Sequence, residues 1–451
     1  MFKRYLKLAL ALLFVLITAC QKSEPPTEEL IQNPPPKTDA DTPITITETP
    51  KPPTVQFPDR LKFFEDRKNV VLMVSIDGFR FDYLNKLKLS TLENLAKSGI
   101  TTDGLIPSFP TLTFPNHVTL ITGRAPGRHG IVSNFFYDRN RKEHYAMSDG
   151  KSVDDGSWYR GEPLWTVLEQ VGIKTATCFW VGSEAKINGI DPTYLLPYDG
   201  SLSNEGRADQ VIEWLSLSEQ KRPQYINLYF SDVDSKGHSY GADSPQVETA
   251  AKEIDAAIGK VVANAKKLGI NLQVIIVSDH GMNTIETQRI ALYDLVDLTD
   301  VITTERGATT QIYSNDAKKI DNLFKQLIAK RKNFNVYKKD DLPEKWKFDD
   351  PNRTGDLVVV ADFPHYIDTA KSFLPMNEEP LKQLGRSTHG WDPANKNMQG
   401  FFLANGSLFK SGIKISEFEN VHVYPMVLDL FGVKQSMSID GRSEVLAEIR
   451  K

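Results

Sequence analysis

Residues 69–78 read NVVLMVSIDG, a short apolar run rich in β-branched residues that stops at Asp77-Gly78. Such a run predicts a strand that is buried on both faces. Two further runs, YINLYF at 225–230 and NLQVIIV at 271–277, have the same character, and aspartates follow each of them within a few residues. Residues 174–181 are interpreted as a fourth strand.

Helical stretches separate these strands along the chain. Helices are predicted at 90–97, around 208–215 and at 248–268, where a long amphipathic pattern ends at a glycine. Strands that alternate with helices predict an α/β fold, with a mostly parallel central sheet and helices on both faces. Residues 284–385, approximately, are interpreted as an inserted α+β section, and 418–431 as a helix that returns to the core.

The composition is that of a globular protein. The chain has 451 residues, of which 40% are hydrophobic, and a formal net charge of −4. Since no long basic stripe is present, the sequence argues against binding of a nucleic-acid duplex. The two cysteines, Cys20 and Cys178, exclude a disulfide framework and a thiolate zinc cluster, so a metal site would use carboxylates and imidazoles.

The amino terminus has the features of an export signal. A basic start is followed by an apolar run and by ITAC at 17–20, which resembles a bacterial lipobox with Cys20 as the lipidated residue. We therefore expect a signal peptide at 1–19 and a lipoprotein on the periplasmic side of the outer membrane or on the cell surface; an ordinary cleaved signal peptide is the alternative. Residues 20–60 are rich in Pro and Thr and predict a disordered tether, which leaves 61–451 as the catalytic domain.

Aspartates follow three of the predicted strands. They are Asp77, the pair Asp232 and Asp234, and Asp279. Ligands of open α/β sheets bind at the carboxyl ends of the strands, so we expect these distant residues to meet at one edge of the sheet. Taken singly, such an aspartate is more often a turn or helix cap.

Histidines accompany these aspartates at spacings that suit metal ligands. Asp234 and His238 are four residues apart and would share a face of a helical turn, His280 follows Asp279 directly, and His389 adds a further imidazole. Carboxylate and imidazole groups are the ligands that a divalent metal ion needs at a phosphoryl-transfer site. The remaining histidines are interpreted as structural or surface groups: His117, His129, His144, His365 and His422.

A threonine-rich turn, FPTLTFPNH at 109–117, offers a possible nucleophile. A threonine hydroxyl is a poor nucleophile until a base or a metal ion lowers its pKa. By composition alone, the same cluster also suits the cap of a helix at 117–122.

Four segments in this order resemble the nucleotide pyrophosphatase/phosphodiesterase family of the alkaline phosphatase superfamily. They are FPTLTFPNH (109–117), DSKGH (234–238), SDHGM (278–282) and HGWD (389–392). The similarity runs from about Asn69 to the C-terminus. It implies an alkaline-phosphatase-like fold and a hydrolase that acts on phosphodiester or pyrophosphate bonds.

The resemblance also implies two Zn²⁺ ions and a covalent intermediate. Asp234, His238 and His389 match the ligands of one zinc ion; the ligands of the other match Asp77, Asp279, His280 and the oxygen of Thr113. In this family the zinc beside the threonine stabilises its alkoxide, which attacks phosphorus and forms a phosphothreonine that water then hydrolyses.

The same comparison assigns substrate contacts. Asn134 matches the family asparagine that donates to a phosphoryl oxygen, although it also suits a turn before a strand. Phe114 and Tyr229 match two aromatics between which a nucleotide base stacks, with core packing as the alternative. Trp180 matches a pocket-lining segment, in which Val181 replaces the usual proline.

Three functions therefore remain open on sequence grounds. The first is a two-zinc nucleotide pyrophosphatase that releases a nucleoside monophosphate, and we expect it to be monomeric. The second keeps the site but acts on lipid or choline phosphodiesters. The third is a catalytically idle surface-binding lipoprotein. Phe114 and Pro115 follow Thr113 where a phosphomonoesterase of the superfamily has an arginine, which favours diesters.

Overall fold

The structure, a computed structural model, describes residues 60–285, 289–304, 306–369 and 387–451. The expected signal peptide, the tether with Cys20, and residues 370–385 of the expected insert lie outside these ranges. No helix of the described residues is long and apolar enough to cross a membrane.

The strands are β1 (Asn69–Ile76), β2 (Ile100–Thr102), β3 (Leu105–Ile106), β4 (Phe135–Asp138), β5 (Glu143–Ala146), β6 (Thr175–Cys178), β7 (Tyr194–Leu196), β8 (Tyr225–Phe230), β9 (Asn271–Val277), β10 (Asn283–Thr284), β11 (Arg289–Ala291), β12 (Ile302–Thr303), β13 (Thr309–Tyr313), β14 (Phe334–Lys338), β15 (Leu357–Ala361), β16 (Tyr366–Asp368), β17 (Ser387–Thr388), β18 (Phe402–Asn405), β19 (Ile413–Ile415) and β20 (Phe418–Glu419).

The helices are α1 (Arg60–Glu65), α2 (Tyr83–Lys86), α3 (Ser90–Ser98), α4 (Thr113–Thr122), α5 (Pro126–His129), α6 (Gly150–Asp154), α7 (Leu164–Gln170), α8 (Asn204–Ser216), α9 (Asp232–Tyr240), α10 (Pro245–Lys267), α11 (Leu292–Leu295), α12 (Ala317–Lys330) and α13 (Val423–Phe431).

Eight strands form the central sheet, in the order β19-β2-β18-β9-β1-β8-β6-β7. All neighbouring pairs are parallel except those of β18, which is antiparallel to both β2 and β9. The prediction of a mostly parallel sheet in an α/β fold is therefore confirmed.

Strand β1 shows why both faces carry helices. All of its residues are buried, and alternate side chains point to opposite faces. Val71 and Met73 join a core formed with α4, α7 and α13, whereas Val70, Leu72 and Val74 join a core formed with α3, α8 and α10.

Residues 302–361 form a second, antiparallel sheet in the order β12-β13-β15-β14, which packs with α12 around a separate core that includes Leu323 and Leu327.

Several predicted bounds differ from the structure. The strand expected at 174–181 spans only Thr175–Cys178, because Phe179 takes a left-handed backbone conformation with φ of 65°. The helix expected over 418–431 begins at Val423, after the short strand β20 and a 3-10 turn. The helix expected at 117–122 begins four residues earlier, at Thr113.

Candidate active site

Three adjacent parallel strands bring the three aspartates together. Strand β1 lies between β8 and β9, so the chain leaves the sheet at neighbouring points before Asp77, Asp234 and Asp279. The turn after β1 requires glycine, because Gly78 has φ of +66° and a Cβ there would lie 3.0 Å from the Cα and Cβ of Asp234. Residues separated by some 200 positions thus share one edge of the sheet, as the strand pattern predicts.

Asp77, Asp279 and His280 form one group whose potential ligand atoms lie within 4.8 Å of one another. His280 Nε2 is 3.0 Å from Asp279 Oδ2 and 3.5 Å from Asp77 Oδ1. The other ring nitrogen, Nδ1, donates to the carbonyl of Gly281 at 2.8 Å, which leaves Nε2 as a lone-pair donor toward the carboxylates. The group therefore has the two oxygens and one nitrogen that a borderline divalent ion accepts.

Asp234, His238 and His389 form the neighbouring cluster. Asp234 Oδ1 lies 3.4 Å from His238 Nε2 and 3.5 Å from His389 Nε2, and the two Nε2 atoms are 3.2 Å apart. Both imidazoles use Nδ1 to donate to a backbone carbonyl, His238 to Ser387 at 2.9 Å and His389 to Thr111 at 2.8 Å. Such bonds fix the tautomer that binds a metal ion through Nε2.

The two clusters touch through His280. The ring of His280 stacks on that of His389 with 3.5 Å between centroids. The potential ligand atoms of Asp234, His280 and His389 also lie within 4.8 Å of one another. Two ions held by these clusters would therefore be close neighbours.

Unpaired oxygens show that the residues fit metal ions. Asp77 Oδ1, Asp234 Oδ1 and Asp279 Oδ2 are buried and have no hydrogen-bond partner. A buried carboxylate oxygen without a partner is costly, and a cation removes that cost. These three atoms are the same ones that face the imidazole nitrogens.

Burial and the neighbouring charges also shift the pKa values of the Asp and His side chains in these clusters. Burial, followed by the negative charges of Asp279 and Asp234, raises the pKa of Asp77 well above its usual value. Burial would also raise the pKa of Asp234, but His238 and His389 lower it. The carboxylate of Asp234 raises the pKa of His238 to about 9 against the effect of burial, whereas burial and His280 lower the pKa of His389 to about 3.

Thr113 is the first residue of α4 and is 7% exposed. Its hydroxyl makes no capping bond to the helix; Oγ1 instead lies 3.3 Å from His280 Nε2. The helix-cap alternative is thus not what the structure shows. The amino terminus of the helix also places a positive dipole end beside this oxygen, which suits a phosphoryl group.

Asn134 lies beside the same helix end. Its Oδ1 accepts a hydrogen bond from the backbone N–H of Phe114 at 2.9 Å. Because this bond fixes the amide orientation, Nδ2 is left to donate to another group.

A pocket of about 240 Å³ opens beside Thr113. Asp77, Phe114, Trp180, Tyr229 and Asp234 line it, together with residues to which the sequence analysis gave no role: Met147, Val153, Glu184, Tyr198, Ser231 and Ser235. No Lys or Arg stands among the described residues that line it.

The structure gives Tyr229 a contact other than the expected base stacking. The side chain is 7% exposed and its hydroxyl donates to Asp77 Oδ2 at 2.6 Å. Tyr198 is instead the exposed aromatic of the pocket, at 53%, and its ring contacts Phe179 at 5.3 Å between centroids. Tyr198 lies in an irregular segment after β7, and no sequence signal singled it out.

His117, interpreted from the sequence as a structural or surface group, is buried within the site. Its Nδ1 lies 2.9 Å from the carbonyl oxygen of Thr113 and 3.4 Å from Asp279 Oδ2, and its Nε2 lies 2.8 Å from Ser75 Oγ. Its position four residues after Thr113 was the available signal, since residues four apart share a helix face. By contrast, His129 is a buried structural group that bonds to Thr119, and His144 stacks on Phe135 in a hairpin.

The chain is similar to known proteins in both sequence and structure. Residues 71–392 match the family described as type I phosphodiesterase / nucleotide pyrophosphatase. An uncharacterized pyrophosphatase/phosphodiesterase of Schizosaccharomyces pombe is 32% identical over 80% of the chain and 77% of its own length. Human ectonucleotide pyrophosphatase/phosphodiesterase family member 5 is 32% identical over 80% of the chain and 74% of its own length.

Other relatives are longer. Human family member 1 is 33% identical over 80% of the chain, which spans only 40% of that relative's length.

Among solved structures, murine family member 5 superimposes with a TM-score of 0.79 at 28% identity, over 85% of this chain and all of that chain. This similarity confirms the alkaline-phosphatase-like fold.

Proposed function

Because the chain belongs to the type I phosphodiesterase/nucleotide pyrophosphatase family of hydrolases, we propose that it cleaves nucleotide phosphodiester or pyrophosphate bonds through Thr113 and releases a nucleoside monophosphate. One observation carries this proposal: the Thr113 hydroxyl lies 3.3 Å from His280, beside three buried carboxylate oxygens without hydrogen-bond partners. In support, murine family member 5 has been solved as an inactive threonine-to-alanine variant in complex with AMP.

Two Zn²⁺ ions fit the residues present. Asp77, Asp279 and His280 would hold one beside Thr113, and the cluster of Asp234, His238 and His389 would hold the other. When bound, the ions supply positive charge that lowers the pKa of an oxygen nucleophile and stabilises the negative charge of the transition state.

The residues of the chain supply position and hydrogen bonds. Thr113 Oγ1 loses its proton to solvent and attacks phosphorus, the bond from phosphorus to the leaving oxygen breaks, and the leaving group departs, taking up a proton from solvent if it is an alkoxide. A phosphothreonine that still carries the nucleoside remains. Asn134 Nδ2 donates to a non-bridging oxygen as its charge increases. Water then attacks phosphorus from the side that the leaving group vacated, and the bond to Oγ1 breaks, which releases the monophosphate and restores the threonine.

The pocket favours a diester that carries a base. A doubly charged phosphomonoester needs a cation beyond the metal ions, and the described lining residues offer neither Lys nor Arg. The exposed ring of Tyr198 and the partly buried ring of Phe114 both line the cavity, so we assign the stacking of the base to these two aromatics. Tyr229 then acts on Asp77 rather than on the base.

The test compares p-nitrophenyl-TMP with p-nitrophenyl-phosphorylcholine. We expect a higher kcat/KM for the nucleotide ester; a preference for the choline ester would instead assign a lipid or choline substrate. Thr113→Ala should lower kcat by at least about 10³-fold, as expected for a lost nucleophile. The matched control is Thr249→Ala on α10, outside the site, which should keep its rate. Undiminished hydrolysis by Thr113→Ala would show that another group is the nucleophile. Absence of hydrolysis in both the parent and Thr249→Ala would indicate an idle scaffold.

We further propose that Cys20 is lipidated and anchors a monomeric enzyme on the periplasmic side of the outer membrane or on the cell surface. The lipobox-like sequence at 17–20 supports this. Radiolabelled palmitate should enter the chain and be absent from Cys20→Ser, which should appear as a soluble protein with the light-scattering mass of one chain. Equal labelling of both would exclude the anchor.

A further inference from the structure

His117 connects the proposed nucleophile to a proposed metal ligand. It is wholly buried, on the second turn of α4, and it faces the carbonyl oxygen of Thr113 at 2.9 Å and Asp279 Oδ2 at 3.4 Å through the same nitrogen, Nδ1. Both of these groups accept hydrogen bonds only, so Nδ1 must carry the proton. One N–H thus lies between the backbone of Thr113 and the carboxylate of Asp279.

The opposite nitrogen is also engaged. Nε2 lies 2.8 Å from Ser75 Oγ, whose hydroxyl donates to it when the imidazole is neutral. Ser75 belongs to β1, two residues before Asp77, and is itself fully buried. The ring therefore spans the space between the strand that carries Asp77 and the helix that carries Thr113.

Two aromatic side chains pack against the imidazole of His117 and hold its orientation. The rings of Trp180 and Tyr229 meet that of His117 edge to face, at 5.4 Å and 5.1 Å between centroids. Trp180 Nε1 also donates to the carbonyl of His117 at 3.4 Å. With both nitrogens bonded and two edges packed, the imidazole has one orientation.

Asp279 has little else to hold it in place. Its Oδ1 accepts from the backbone N–H of Gly78 at 3.2 Å, but its Oδ2 has no hydrogen-bond partner of normal length. Nδ1 of His117, which donates to the carbonyl of Thr113, approaches this oxygen from the helix side at 3.4 Å.

We propose that His117 is a positioning residue, which sets the distance between the Thr113 hydroxyl and the metal ion held by Asp279. The inference rests on the proposed function, because it assumes that Thr113 is the nucleophile. It differs from that proposal in acting through Nδ1 on two groups, without contact to the substrate. Outer hydrogen bonds of this kind change metal affinity or rate by about 10- to 100-fold.

The test is a pair of amide substitutions that separates the two nitrogens. In His117→Asn the amide N–H stands where Nδ1 stood, whereas in His117→Gln it stands where Nε2 stood. With p-nitrophenyl-TMP we expect kcat within about 3-fold of the parent for His117→Asn. For His117→Gln we expect a fall of about 10- to 100-fold with KM nearly unchanged.

Zinc binding gives a readout that is independent of turnover. Titration of the metal-free enzyme against a chromophoric chelator should show one of the two zinc sites weakened by about 10- to 100-fold in His117→Gln, and both sites intact in His117→Asn. Ser75→Ala removes the bond to Nε2 but leaves Nδ1 in place, so it should lower kcat and zinc affinity much less than His117→Gln does. Thermal unfolding of all three variants shows whether each is folded.

Two results would overturn the inference. Equal losses in His117→Asn, His117→Gln and Ser75→Ala would show that the ring only fills space. Full activity of His117→Gln, in an enzyme that Thr113→Ala inactivates, would exclude the positioning role while the nucleophile stands. If Thr113→Ala were active, the proposed function itself would fail.

Discussion

Two tyrosines of the pocket, Tyr229 and Tyr198, give separate predictions at the residue scale. The hydroxyl of Tyr229 holds Asp77 Oδ2 at 2.6 Å, and the ring of Tyr198 is exposed in the pocket. Tyr229→Phe should weaken zinc binding by about 10-fold and lower kcat, because an outer hydrogen bond to a ligand is lost. Tyr198→Ala should raise KM for p-nitrophenyl-TMP by about 5- to 50-fold, the equivalent of about 1–2 kcal/mol of stacking, with kcat nearly unchanged.

Steady-state kinetics with a zinc titration of each variant separates the two roles. Tyr198→Phe is the control for the second variant, since it keeps the ring and should keep the KM. Unchanged zinc binding in Tyr229→Phe would contradict the role of its hydroxyl on Asp77, and a raised KM in Tyr229→Ala that is absent from Tyr229→Phe would assign the Tyr229 ring to the base site.

Cys178 gives a second prediction at this scale. The thiol is fully buried on β6, and burial raises its pKa to about 12. The thiolate is the reactive form, so native Cys20→Ser protein should not react with Ellman's reagent at pH 8 within an hour. The same protein in 6 M guanidinium chloride should release one thiol per chain, and fast reaction of the native protein would contradict the buried position.

Gly281 shows at the element scale how the loop after β9 is fitted to its surroundings. A Cβ at this position would lie 2.1 Å from the carbonyl oxygen of Asn397, and that oxygen is backbone and cannot swing away. Gly281→Ala should therefore displace the loop, costing about 1–3 kcal/mol of unfolding free energy and moving His280 away from Asp279. Urea denaturation and zinc titration measure the two effects.

Gly150 offers the matched control for this substitution. Nothing lies within 4 Å of a Cβ built there, and it begins α6. Gly150→Ala should leave stability unchanged or raise it by up to about 1 kcal/mol. Equal behaviour of the two alanine variants would contradict the close approach at Gly281.

Arg353, in the turn before β15, makes a buried ion pair with Asp138 at the end of β4. Its Nε donates to Asp138 Oδ2 at 2.8 Å, and both side chains are about 6% exposed. Arg353→Met should cost about 3–5 kcal/mol, because Asp138 is left buried without its partner. The double variant with Asp138→Asn should recover part of that loss in urea denaturation.

The same pair predicts a pH dependence. Burial would raise the pKa of Asp138, but the hydrogen bonds from Arg141 and Arg353 lower it below the usual value. Its stabilising effect is therefore present above the unfolded pKa of about 3.9 and is lost as the pH falls through the lower folded pKa. Unfolding free energies measured between pH 5 and pH 3 should fall less steeply in Asp138→Asn than in the parent.

The strands that could be predicted from sequence are those whose apolar runs end in a polar turn. Residues 225–230 and 271–277 match β8 and β9 to the residue, because central strands of a parallel sheet are buried on both faces and have no competing pattern. The end of β6 before Phe179 could not be predicted, since the left-handed φ of Phe179 depends on tertiary packing.

The residues of the candidate site were likewise only partly predictable from the sequence. Asp77, Asp234 and Asp279 were predictable because strand ends are a general property of the fold. The contacts of His117 and Tyr229 were not, since each depends on a partner that is distant in sequence: Asp279 lies 162 positions from His117, and Asp77 lies 152 positions from Tyr229.

Metal removal is a test at the scale of the whole molecule. Three carboxylates crowd one sheet edge, and burial together with the charges of Asp279 and Asp234 raises the pKa of Asp77. A bound cation relieves this repulsion and stabilises the folded state by mass action, about 2.7 kcal/mol per site at 100 times Kd. EDTA should therefore lower Tm by several degrees and excess Zn²⁺ should restore it.

Thr113→Ala keeps the Asp and His residues of both clusters and should show nearly the same metal-dependent shift in Tm. Asp77→Asn should show a smaller one. An unchanged Tm on addition of EDTA to the zinc-loaded enzyme would argue against metal ions in both clusters.

The strand order also determines when, during synthesis of the chain, the residues of the site can come together. Strand β1 pairs only with β8 and β9, which the ribosome makes some 150 to 200 residues later, and His389 arrives after a further hundred. Contacts of such long sequence separation form late and slowly. A partly synthesised chain therefore holds Asp77 and Thr113 without their partners, and hydrolytic activity starts only when nearly the whole polypeptide has folded around its first strand.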